Sequence, residues 1–110
     1  MNGSDYQELA MRTCSFRHDP TRMMLHGVYG LASEAGEVAG ILQKTYQGHE
    51  IDYTHIKKEL GDVMWFVAEV AESVGSNIDE IMKLNISKLM ARYPNGFDEQ
   101  RSLNREADDI

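Results

Sequence analysis

Glu34 and Glu37 are the only charged residues in LHGVYGLASEAGEVAGIL, the stretch from Leu25 to Leu42. Asp62 lies in the apolar run LGDVMWFVAEV, and Glu59 comes one helical turn before it. Each pair is spaced i, i+3, which puts both carboxylates on one face of a helix. An ionised carboxylate among apolar side chains is costly unless a cation or donor compensates it. Glu34 and Glu37 have no lysine or arginine three or four residues away, so no ion pair along the helix explains them. If the two pairs face each other, a hard divalent cation is the simplest compensation. All-oxygen ligands suit Mg²⁺, with Mn²⁺ as a substitute, better than zinc. Such a cation would lead to phosphate chemistry. Spacing alone does not single these acids out. Asp5/Glu8, Glu69/Glu72 and Glu106/Asp109 share it and read as solvated faces; the apolar setting makes the difference.

Positioning these acids requires helices. Nothing in the chain reads as a strand ladder, and the expected class is all-α. Ser4 with Gln7 resembles a capping box and predicts a first helix over about 5–16. Asp19-Pro20 is a good cap and first helical position, predicting a second helix over about 20–47 that stops at Gly48. Leu25, Val28, Leu31, Ala35, Val38 and Leu42 form its expected apolar stripe. Ala32, Gly36 and Gly40 form a small-residue row that would let another helix approach closely. Asp52 caps a third helix, about 52–75, with Ile56, Leu60, Val63, Val67, Val70 and Val74 as its stripe. Asn77 with Glu80 starts a fourth, about 77–93, with Ile78, Ile81, Leu84, Ile86, Leu89 and Met90 as its apolar face. Pro94-Asn95-Gly96 is a turn, and the charged tail over 98–110 is expected to be loose. Residues 1–97 therefore read as one helical domain. At roughly 1.5 Å per residue, the second and third helices are about 42 and 35 Å long. A chain of 110 residues cannot easily cover both, so a homo-oligomer is expected.

Composition bounds the rest. Apolar content is 42% and net charge −7, which favour a folded acidic domain and argue against binding a nucleic-acid polymer. The single cysteine, Cys14, excludes an intrachain disulfide and reads as buried packing in a reducing compartment. No signal peptide and no membrane span are legible, so the expected location is cytoplasmic. No phosphate-binding loop, dinucleotide fingerprint or nucleophile elbow is present. Asp52-x-x-His55 only faintly echoes di-iron bundles, which need Glu-x-x-His twice, and this disfavours a carboxylate-bridged oxidoreductase. His55 shares a helix face with Glu59; His26 lies roughly on the Glu34 stripe and reads as packed. Asn85, Lys88 and Arg92 share one face of the fourth helix, either as a solvated surface or as a grip for phosphate oxygens. Trp65 is the best-placed aromatic for stacking a base, though such a side chain is more often core.

Glu34-x-x-Glu37, then 21 residues, then Glu59-x-x-Asp62 resembles the signature of the MazG-like nucleotide pyrophosphohydrolases, in the all-α NTP pyrophosphatase superfamily. The segments GLASEAGEVAG, KKELGDVMWFVAEVA and NISKLMARYPNGF carry the likeness over about 22–97, in one copy of the short single-domain type. The resemblance implies a four-helix, bundle-like fold assembled as a dimer or a dimer of dimers. It implies hydrolysis of a nucleoside triphosphate to monophosphate and pyrophosphate, with Mg²⁺ held by Glu34, Glu37, Glu59 and Asp62. Glu34 or Glu37 would be the general base, with a slight lean to Glu34. It makes Asn85, Lys88 and Arg92 phosphate contacts and Lys44 a nucleotide contact. The competing expectation is a helical interaction module that keeps the metal site without catalysis. Base and sugar preference are not legible.

Overall fold

The computed structural model describes all 110 residues. Five helices follow one another: α1 (Gly3–Met11), α2 (Pro20–Tyr46), α3 (Tyr53–Ser73), α4 (Ile78–Arg92) and α5 (Glu99–Leu103). The chain divides into two compact units, Met1–Ile78 and Asp79–Ile110. No helix is long and apolar enough to cross a membrane.

In the first unit α2 and α3 form an antiparallel hairpin. Asp19 accepts from the Arg22 N–H with Pro20 at the first turn, and Asp52 accepts from the His55 N–H. Gly48, at φ 107°, and Gly75, at φ 73°, take left-handed conformations just beyond the two helix ends. The pairing direction follows from contacts: Gly27 meets Glu69 and Val70, while Gly30 meets Phe66. A Cβ on Gly27 would stand 2.6 Å from Val70 Cγ2, and one on Gly30 would overlap the Phe66 ring. Glycine here is what lets the helices close.

The α2 face that packs is only in part the expected one: Leu31 and Val38 of the expected stripe lie on it, and Leu25, Val28 and Leu42 do not. Met23, Gly27 and Ile41 are buried, with Gly30, Leu31, Glu34 and Val38 half-buried between them. These positions step by threes and fours and form one seam. Leu25, Val28 and Leu42, from the expected stripe, remain about half exposed at 54%, 48% and 50%. The small-residue row is displaced too: a Cβ on Gly36 or Gly40 would meet nothing within 4 Å. The α2 helix is apolar round most of its girth, and closeness of approach rather than side-chain size selects the buried side.

Capping of α1 also differs from expectation. Asn2, not Ser4, accepts from the Asp5 N–H at 2.8 Å, and Gln7 is buried. The Gln7 amide donates to Ser76 O (3.1 Å) and accepts from Ile78 N–H (3.0 Å), tying α1 to the turn after α3. The α1 helix stops at Met11 rather than near 16. Thr13 Oγ1 donates to Ala10 O at 2.7 Å and the chain turns toward His18, at φ 75°. Met11, Cys14, Met23, Ala68 and Ile78 form the core, with Tyr6, Phe16 and Trp65 packed on it.

The second unit holds most of α4, the turn at Pro94–Gly96 and α5. Asp98 caps α5 by accepting from Gln100 and Arg101 N–H groups. Residues 98–110, expected to be loose, thus contain a helix, and Asp109 pairs with Arg92 through Nε at 2.8 Å. The expected apolar face of α4 stays largely open: Leu84, Ile86 and Met90 are 63%, 58% and 58% exposed.

Candidate metal centre

Glu34 sits on the α2 seam where α3 passes it, and that register brings it to Glu59 and Asp62. One carboxylate oxygen from each of Glu34, Glu59 and Asp62 lies within 4.8 Å of the others. Glu34 and Glu59 are half-buried and Asp62 is exposed. Like charges this close repel strongly, and the cluster shows it. The Glu34 carboxyl is pushed above the ordinary glutamate range, first by a hydrogen bond to Glu59. Burial comes next, then the charges of Glu59, Asp62 and Glu37. The ion pairs that arginines form in this chain engage Glu8, Asp19, Glu72 and Asp109, not this cluster. The basic side chain beside it is His55, whose Nε2 lies 3.1 Å from Glu59 Oε1. Tyr6 comes from α1: its hydroxyl donates to Gly61 O at 3.4 Å, and burial, then the Asp62 charge, hold it above the ordinary tyrosine range.

This donor set fits a hard divalent cation. Carboxylate oxygens converge, no lysine or arginine neutralises them, and Glu34 holds more tightly than usual a proton that a cation would displace. Glu37 stands apart. It is exposed, near enough to act on Glu34, but outside the group of converging oxygens. It lines a cavity of about 320 Å³ with Gly40, Ile41, Lys44, His49 and His55 among the walls. Lys44 is therefore on the same cavity as Glu37.

Trp65 lies elsewhere on α3. Its indole N–H donates to Thr13 Oγ1 (2.9 Å) and Ala10 O (3.1 Å), and its ring meets Phe66 edge-on at 5.0 Å. The side chain braces α1 on α3. Asn85, Lys88 and Arg92 belong to the second unit, where Arg92 is engaged by Asp109.

A second polar cluster was not legible as one. Glu69 is fully buried, not part of a solvated pair with Glu72. His26 Nδ1 lies 2.8 and 3.0 Å from its two oxygens, and the Cys14 thiol donates to it at 3.1 Å. Phe16, Trp65 and Phe66 surround the imidazole at 5.2, 6.2 and 5.6 Å. Burial and that hydrogen bond push the Cys14 thiol up to about 11, so it is an inert donor and not a nucleophile. The signal was present: Glu69 sits in FVAEVAES without a lysine or arginine within four residues, as Glu34 does. Glu72 instead takes Arg17 Nε at 3.4 Å.

Residues 25–97 match the model of the MazG nucleotide pyrophosphohydrolase domain, a span that includes Glu34, Glu37, Glu59, Asp62 and Arg92. The chain is 32% identical over 81 residues to the Gene 37 protein of Mycobacterium phage L5, covering 69% of this chain and 71% of that protein. No solved structure matches it. On the family match across most of its helical length, supported by that relative, the chain belongs to the MazG nucleotide pyrophosphohydrolase family.

Proposed function

We propose that the protein hydrolyses a nucleoside triphosphate, ribo or deoxy, at the α–β bond, giving the monophosphate and pyrophosphate, in a Mg²⁺-dependent reaction. The observation that carries this reading is the convergence of Glu34, Glu59 and Asp62 without a lysine or arginine partner. These residues would hold the cation, with Glu37 completing the set or acting beside it. Bound there, Mg²⁺ would supply charge neutralisation shared between carboxylates and phosphate oxygens, including charge developing on the leaving pyrophosphate. Mn²⁺ is the expected substitute.

Glu37 is a better-supported base than Glu34. It lies outside the converging oxygens and faces an open cavity, so its lone pairs are available to water. Water oxygen forms a bond to the α-phosphorus, its proton passes to a Glu37 carboxylate oxygen, and the bond to the bridging oxygen breaks as pyrophosphate leaves. His55 holds Glu59 from the cavity side. Asn85, Lys88 and Arg92 are the proposed phosphate donors. Lys44 as a nucleotide contact rests on the family resemblance; Trp65 as a base platform rests only on its place one helical turn after Asp62, and its indole N–H is already engaged by Thr13 and Ala10. Residues 1–97 are taken as the functional domain, with 98–110 appended to it, in a cytoplasmic enzyme. The uncovered Leu25, Val28 and Tyr29 on α2 support a homodimer or tetramer.

Pyrophosphate release across a panel of NTPs and dNTPs, with Mg²⁺ and with excess chelator, tests the reading. Release from at least one nucleotide, lost in chelator and in Glu37→Gln, is expected. Equal release in chelator would overturn metal dependence. No release from any nucleotide, with Mg²⁺ still bound in calorimetry, would leave the alternative of a non-catalytic interaction module.

A further inference from the structure

The second unit holds a partly buried arginine–carboxylate cluster. Arg92 Nε donates to both carboxylate oxygens of Asp109, at 2.9 and 2.8 Å, with the two side chains only 13% and 23% exposed. Arg105 reaches the same carboxylate through Nε at 3.6 Å, and its Nη2 donates to the Asp109 carbonyl at 3.1 Å. Lys88, one turn before Arg92, acts on the same carboxyl, which is held below its ordinary range chiefly by the Arg92 hydrogen bond. Arg101 comes from α5 and donates to Arg92 O at 3.5 Å. Arg92, Arg101, Asn104 and Arg105 line a cavity of about 130 Å³, with Glu106 and Asp109 completing it.

A carboxylate and a phosphate present similar oxygens to a guanidinium. Asp109 thus sits on Arg92, one of the residues proposed to hold phosphate. We propose that Asp109 is an internal latch on an oxyanion site formed by Arg92 and Arg105, with Lys88 one helical turn away, and that a polyphosphate chain displaces it. The ligand class is a linear phosphate chain, free or carried by a nucleoside. The inference rests on the reading of Lys88 and Arg92 as phosphate donors. It adds Arg105 to the site and makes residues 98–110 the segment that sets the affinity threshold. A latch closed for about four-fifths of the time weakens apparent affinity about fivefold.

The test is calorimetric titration of tripolyphosphate, and in parallel a nucleoside triphosphate, into the full chain in excess chelator. Asp109→Asn is expected to bind about fivefold tighter than wild type, and Asp109→Glu, which keeps the carboxylate, within about twofold of it. The gain should vanish when Arg92→Gln is added. A gain with both anions means the phosphate chain suffices; a gain with the nucleotide alone means the nucleoside contributes. Affinity unchanged in Asp109→Asn, or a gain that survives Arg92→Gln, overturns the latch. So does weaker binding with loss of helical circular dichroism, which would make Asp109 a structural brace. No turnover enters this measurement. If wild type releases no pyrophosphate from any nucleotide while the gain holds, the reaction falls and the latch stands.

Discussion

A cluster of three carboxylates and a single buried one, Glu69, lie on the α2–α3 hairpin, and depth of burial does not rank them by the chemistry proposed for them. Glu69 is fully buried, yet its oxygens are met by His26 and by the Cys14 thiol. It is a satisfied group in a structural network. Glu34, Glu59 and Asp62 are less buried, but they face one another and Glu34 is driven toward its protonated form. Carboxylates whose nearest neighbours are carboxylates are the ones proposed to hold the cation. What surrounds the oxygens, rather than how deep they lie, separates chemistry from architecture.

The largest expected effect breaks this contrast directly. Glu59→Gln should lower metal-dependent turnover by about a thousandfold, since several kcal/mol of charge stabilisation go with the cation. The metal-free fold should lose nothing, because a repulsive charge is removed. Steady-state rates paired with thermal melts check both halves. Mg²⁺ or Mn²⁺ should raise the melting temperature of wild type and not of Glu59→Gln. A variant that melts early without losing turnover would erase the distinction between the clusters.

The opposite pattern is expected at the second cluster. His26→Ala leaves the buried Glu69 carboxylate with only the Cys14 thiol as donor. The cost should be about 3 kcal/mol, at the low end for a broken buried pair because His26 is itself 45% exposed. Urea denaturation measures it. Mg²⁺ affinity of the folded variant, by calorimetry, should stay within about twofold of wild type.

Much of this molecule is legible in its sequence, and what is not shares a cause. The Asp19 and Asp52 caps and the Gly48 stop are readable because capping is local chemistry. The four acids stand out because charge in an apolar run needs a reason. The buried face of α2 is not readable. Leu25, Val28 and Leu42 are as compatible with a helical period as Met23, Gly27 and Ile41, and periodicity cannot choose between two apolar faces. Glu69 reads as solvated because the partners that explain its burial, His26 and Cys14, lie 43 and 55 residues away. Residues 98–110 read as loose because the Arg92–Asp109 pair spans 17 residues and no local signal announces it.

The glycines of α2 give the same contrast in packing, with a smaller effect. Gly30 and Gly36 lie on one helix, but a methyl on Gly30 would land in the Phe66 ring. One on Gly36 would enter open space. Gly30→Ala should cost about 1–3 kcal/mol by overpacking and widen the seam that presents Glu34 to Glu59, so Mg²⁺ affinity should fall with it. Gly36→Ala should instead raise the stability of the isolated chain by about 0.5–1 kcal/mol, the helix-propensity gain of alanine over glycine. That sign holds only while nothing packs there. If a second copy covers the Gly36 face, the same substitution weakens self-association, and sedimentation will show the oligomer dissociating at higher protein concentration than wild type. Melting at low and high protein concentration separates the two effects. A Gly36→Ala chain that is stabilised at both, with its oligomer undisturbed, would assign the row of Ala32, Gly36 and Gly40 to solvent and leave Leu25, Val28 and Tyr29 as the surface that recruits the partner.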